Sequence, residues 1–169
     1  MTEDKSKVAL GVGLAAAGLG LGLLLLKKPE PPAEVAAVII TVYDAAGNVV
    51  PANSPVSLEE GGSYSFDFTV LNQTTRGGEP WPATFDILYQ VLIAGDLRVR
   101  DTVITSFAAG EQKSFGPFPF SVLWDTGGLA GAIDVIVQDP GGGIVASGTE
   151  MISVISVRII YGATVVIGV

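Results

Sequence analysis

The chain has 169 residues, 49% of them hydrophobic and only 15% charged, with a formal net charge of −8. That length holds one domain with an appendage, the sparse charge excludes a disordered or nucleic-acid-binding tail, and the acidic balance disfavours phosphate backbones as partners. The absence of His and Cys removes disulfides, zinc–thiolate sites, thiol nucleophiles and imidazole bases together.

The first element is apolar throughout. Residues 8–26 read VALGVGLAAAGLGLGLLLL, with Lys5 and Lys7 before them and Lys27 and Lys28 after. Nineteen helical residues at about 1.5 Å each span roughly 28 Å, close to the hydrocarbon thickness of a bilayer. The run predicts a single membrane-spanning helix, with lipid as its partner through residues 8–26. A cleaved secretory signal would need a small-x-small site after the apolar core, and Leu26-Lys27-Lys28 offers none. A pilin-type leader would need a glycine after the basic residue, whereas Lys7 precedes Val8. Gly11, Gly13, Gly18 and Gly22 punctuate the run, and Gly18 with Gly22 makes a GxxxG pair. Such small ridges let helices approach closely, although glycine is also ordinary in membrane spans. With two lysines on each side the orientation is nearly tied, and the acidic bulk downstream tilts it towards an N-terminus inside.

Pro29, Pro31 and Pro32 then end the helix and favour an extended, stiff spacer. Residues 1–32 carry four lysines against Glu3, Asp4 and Glu30, a net of +1, which leaves −9 for the remainder. The expected organisation is an anchor over 1–28, a Pro-rich linker over 29–34 and a β domain over 35–169.

Beyond the linker, period two replaces helical spacing. Val38, Ile40 and Val42 share a face, and Ala45-Ala46-Gly47-Asn48 reads as a turn into Val49-Val50. Tyr64, Phe66, Phe68 and Val70 alternate with polar residues, and Phe85, Ile87, Tyr89, Val91 and Ile93 form another single face. A strand through Val99 and Val103 leads to the turn at Gly110. The run from Phe115 to Val122 contains Pro117 and Pro119, which places it at a sheet edge. Ile133, Val135 and Val137 follow, then the turn at Asp139-Pro140-Gly141 and a strand from Ile144 to Ser147. Strands at roughly 8–14-residue spacing without an amphipathic helix predict an all-β, antiparallel Ig-like β-sandwich.

Three stretches carry a family resemblance: LEEGGSYSFDFTVLNQT from Leu58, AAGEQKSFGPFPFSV from Ala108 and GAIDVIVQDPGGGIVASG from Gly131. Together they resemble the Ig-like modules grouped as cell-adhesion-related domains of bacteria and archaea. The resemblance implies a non-catalytic adhesive or spacer module and transfers no functional residue.

Residues 151–169, MISVISVRIIYGATVVIGV, carry Arg158 as their single charge. Their β-branched content and Gly162 predict two paired strands rather than a second membrane span. Burial within the sandwich and pairing with another subunit both account for strands that are apolar on two faces, and Ile155 and Ile160 are the candidate contacts. Asn72-Gln73-Thr74 is a glycosylation sequon. Trp81 and Trp124 sit beside loops, where they serve either as partner contacts or as plugs of the sandwich ends. Glu59-Glu60 before Gly61 reads as a solvated turn, and Arg98 and Arg100 as a solvated outer face. No calcium loop or phosphate loop is present, so no metal or cofactor is expected. A serine nucleophile would lack a base other than lysine, and no carboxylate pair stands out, so neither catalysis nor a small-molecule substrate is expected.

Two readings follow. One is a structural subunit of a surface assembly, a virion shell or spike or a cell-surface filament or sheath, homo-oligomeric or built with other subunits. A pilin-like filament with the helix in its core is a variant of it. The other is a monomeric, membrane-tethered adhesion module. Either places the β domain outside the cytoplasm or on a virion surface.

Overall fold

The computed structural model describes residues 36–157. The anchor expected over 1–28, with Gly11, Gly13, Gly18 and Gly22, lies outside the described residues, as do the linker and Ile160. The described chain is all-β: β1 (Ala36–Asp44), β2 (Val56–Glu59), β3 (Ser63–Asn72), β4 (Thr75–Arg76), β5 (Glu79–Pro80), β6 (Ala83–Ile93), β7 (Asp96–Phe107), β8 (Gln112–Ser121), β9 (Ala130–Gln138) and β10 (Ile144–Ile155). Among the described residues no helix is long and apolar enough to cross a membrane.

The strands form a three-stranded sheet ordered β1-β3-β8, a five-stranded sheet ordered β2-β10-β9-β6-β7, and the small β4-β5 ribbon. The two larger sheets pack face to face, because each alternating strand turns one apolar row inward. Phe66 and Phe68 of β3, Ile87 and Tyr89 of β6, and Ile133 and Val135 of β9 are all buried. Across the interface Tyr89 stacks on Phe118 with ring centroids 4.2 Å apart and meets Phe66 edge-on at 6.0 Å. β8 is an edge strand, as its prolines require.

Three features differ from the expected arrangement. β2 runs parallel to β10, with Val56 opposite Ile152 and Glu59 opposite Ile155. This pairing follows from the chain crossing between sheets after β1 and back again before β3, through Pro51 and Pro55. Val49-Val50 is not a strand; Val49 makes one bridge to Tyr43. The stretch from Ile144 to Ile155 is one strand, so Met151–Ile155 continues β10 rather than opening a separate pair. Gly148 lies within that strand because β1 crosses there: a Cβ on it would meet Val38 Cγ1 at 2.9 Å. The remainder of the expected C-terminal pair lies outside the described residues.

β3 separates the two ends of the domain. Ala36 pairs with Asn72 at its finish, whereas Ile155 pairs with Glu59, just before its start. At about 3.4 Å per residue the ten residues of β3 set these points roughly 30 Å apart. The chain therefore comes in at one end, here the near end, and leaves at the other, the far end.

Candidate interaction surface

The outer face of the five-stranded sheet is built from the residues that alternate with the core rows. Register joins Met151 to Ala132, Ala132 to Leu92 and Leu92 to Leu97, so four strands place one apolar row across the sheet. Toward the far end Ile155 ends β10, and Val154 donates its N–H to the carbonyl of Leu129 at 2.9 Å, which brings Leu129 beside it. Leu97, Met151, Ile155 and Leu129 are 52%, 49%, 48% and 46% exposed. On the near side the row is bounded by a polar one, Thr149–Asp134–Gln90–Arg100. There Thr149 and Gln90 donate to the Asp134 carboxylate at 2.9 and 3.2 Å. An apolar stripe rimmed by satisfied polar groups is the usual form of an association surface.

Glu60 fixes the far edge of this surface. Its carboxylate accepts the N–H of Gly127 at 3.1 Å and of Val157 at 3.0 Å, while its own N–H donates to the carbonyl of Ile155. The solvated-turn reading of Glu60 is thus corrected: the carboxylate ties β10's exit to the β8–β9 loop. The Trp124 ring lies over Gly61, in the space a Cβ there would occupy.

The candidates named from sequence separate in space. Ile155 lies on the apolar surface. Trp124 is 61% exposed at the far end and Trp81 39% exposed at the near end, so neither plugs the core, and they do not share a site. The Arg76 guanidinium sits 4.9 Å from the Trp81 ring centre, a cation–π contact that steadies the β4–β5 ribbon.

Asn72 is 1% exposed. Its amide donates to the carbonyls of Trp81 and Ala108, both at 2.9 Å, and its side-chain oxygen accepts the Thr74 N–H at 3.0 Å. In the folded domain the sequon's acceptor nitrogen is therefore committed to the fold, where Asn72 closes the surrounding loops. Arg98 is corrected too. It occupies the extra position where Val91 pairs with Val99 but Leu92 with Leu97, and this bulge turns the side chain into partial burial, 3.3 Å from Asp96.

Sequence reasoning missed Leu97, Leu129 and Glu60. Leu92 and Leu97 flank the Ala94-Gly95 turn at cross-strand spacing, which was a usable signal. Glu60 gave none, since its partners are 67 and 97 residues away. A cleft of about 110 Å³ between β1 and β10 is lined by Ile40, Val42, Val50, Val56 and Glu150. Among the described residues no group of acidic side chains is arranged to hold a metal ion.

No family model matches the chain, and no curated protein matches it. Among solved structures it is similar to a Paenibacillus cycloisomaltooligosaccharide glucanotransferase, with 16% identity and a TM-score of 0.45 over 72% of this chain and 14% of that one. It is also similar to the Bacillus subtilis sporulation control protein Spo0M, with 15% identity and a TM-score of 0.38 over 73% of this chain and 49% of that one. The chain thus spans less than half the length of each.

Proposed function

We propose that the chain is a non-enzymatic structural protein: a membrane-anchored subunit of a larger surface assembly, whose β domain lies outside the cytoplasm or on a virion surface. The observation that carries this reading is the exposed apolar row Met151–Ala132–Leu92–Leu97 with Ile155 and Leu129 beside it. An apolar row continuous over four adjacent strands and bounded by polar groups has the form of an interaction surface.

The strand order supports an Ig-like domain, the fold that the cell-adhesion-related resemblance implies. β1, β3 and β8 take the places of strands A, B and E, and β10, β9, β6 and β7 those of G, F, C and C′. The tethered binding module is the second reading, favoured by Trp124, an exposed aromatic at the far end of the β domain. Electron microscopy of the full chain, purified in detergent and then depleted of it, tests the choice. A lattice or filament in which this chain repeats is expected, and dispersed single copies would overturn the assembly reading.

A further inference from the structure

Sheet edges decide where a second chain can add, because they hold unpaired backbone donors and acceptors. The two packed sheets have four. β8 carries Pro117 and Pro119, β2 is four residues long, and β1 is tied at its end by the Tyr43–Val49 bridge. β7 has twelve residues and no proline, and among the described residues nothing pairs with its outer side. Charges and the Arg98 bulge guard its first half. Its second half, Thr102–Phe107, has no charged side chain of its own and is β-branched and aromatic, with Ile104 70% exposed; Lys113 of β8 caps it at the Ser106 carbonyl, a contact that an added strand displaces.

The geometry says which backbone groups point outward. Ser106 lies opposite Thr84 with their hydroxyls 2.8 Å apart, and its carbonyl accepts Lys113 Nζ from outside the sheet at 2.6 Å. Ser106 is thus a non-hydrogen-bonded position of the β6–β7 ladder. By alternation, Ile104 and Thr102 also turn their N–H and C=O to the open edge.

The chain itself supplies a strand of matching character. Residues 158–169, RIIYGATVVIGV, contain no proline and no charge beyond Arg158. Glu60 pins Val157 where β10 leaves the sheet. Between there and Gly162 the sequence has no turn-forming residue. Its own β7 lies three strands off, about 14 Å across the sheet.

We infer that residues 158–169 of one copy add as a β-strand to the open β7 edge of a second copy, over Thr102–Phe107. Backbone hydrogen bonds supply the affinity, and alternate side chains extend both faces of the acceptor sheet. The inference rests on the assembly reading above and specifies its contact.

The test uses the full chain in detergent, with self-association followed by sedimentation. Truncation after Val157 and Ile104→Pro, which removes an edge donor without touching the β6 ladder, should each raise the concentration needed for association about tenfold or more. The thermal transition of Ile104→Pro should stay within a few degrees of the parent. Because the chain has no cysteine, mixed single-cysteine chains report the contact directly. Ile104→Cys oxidised with Val165→Cys or Val166→Cys should give a disulfide heterodimer, and Ile39→Cys on β1 should not. Association unchanged in both the truncation and Ile104→Pro would overturn the β7 contact while leaving the assembly reading intact. A disulfide formed only within a chain carrying both cysteines would overturn it in favour of a segment that folds onto its own domain. A full chain that stays monomeric would overturn both readings.

Discussion

At Asn72 one amide closes three loops. It holds the carbonyls of Trp81 and Ala108 and the N–H of Thr74, while its own backbone N–H donates to Glu111. Asn72→Ala would leave the Trp81 carbonyl and the Thr74 N–H unpaired, while the Ala108 carbonyl keeps the Glu111 N–H, and should cost about 2–4 kcal/mol. A lower urea midpoint at unchanged slope would register that loss. Thr74 gives the opposite expectation, because its Oγ1 is buried without a partner. Thr74→Val also destroys the sequon, yet stability should hold or rise by up to about 1 kcal/mol in the same assay.

Tyr89 supplies a pH dependence. Burial pushes its phenol above the ordinary 10.0, and the Asp101 carboxylate adds to the shift. A group whose folded value is raised contributes stability that is fully present below its unfolded pKa and is lost as pH rises through the folded value. Stability should therefore hold up to about pH 10 and fall above it. In Tyr89→Phe that alkaline fall should be shallower, as denaturant titrations at pH 8 and pH 11 would report.

Among the elements, β8 most clearly exceeds a simple alternation. Phe115 and Phe118 are an odd number of residues apart, so an unbroken strand would point them to opposite faces. A bulge intervenes: Phe66 pairs with Phe118 but Phe68 with Phe115. Both rings then reach the aromatic cluster, Phe115 stacking on Phe68 at 5.1 Å and Phe118 tilting onto Phe66 at 5.4 Å. The bulge depends on Gly116, which has φ of 121° and would place a Cβ 2.9 Å from the Phe66 carbonyl oxygen. Gly116→Ala should cost about 1–3 kcal/mol. Phe66→Ala, in the centre of the cluster, should cost about 3–5 kcal/mol. Thermal denaturation of the two variants orders them, and an equal loss would mean that the bulge matters as much as the core it serves.

For the whole molecule, the separation of anchor, linker and β domain predicts that deleting residues 1–28 leaves a folded domain in the soluble fraction. Circular dichroism with a cooperative thermal transition would register it. Met151→Lys and Ile155→Lys address the outer face. Both side chains are about half exposed and turned away from the core, so the monomer should change by no more than about 0.5 kcal/mol. Self-association should weaken, because a charge would have to enter an apolar contact. Sedimentation and thermal melts on the same samples separate these effects.

Which residues enter the core was legible because burial follows a local pattern. Phe66, Phe68, Ile87, Tyr89, Ile133 and Val135 each stand in an alternating run, and alternation assigns a face whatever the partner strand turns out to be. The prolines of β8 marked an edge for an equally local reason, the missing N–H. The apolar surface was legible only at Ile155. It gathers Leu92, Leu97, Ala132 and Met151 from four strands, and their adjacency exists only once pairing sets the register. The same holds for Glu60, whose carboxylate looks solvated until two distant backbone N–H groups reach it, and for Asn72, whose sequon looks accessible until three loops close around it. Local sequence alone thus determined the inward faces of β3, β6 and β9, because side-chain alternation is built into each of these strands. Only the tertiary structure decided which outward faces join into a surface and which polar groups are committed to the fold, because strand order and loop closure depend on contacts between residues far apart in the chain.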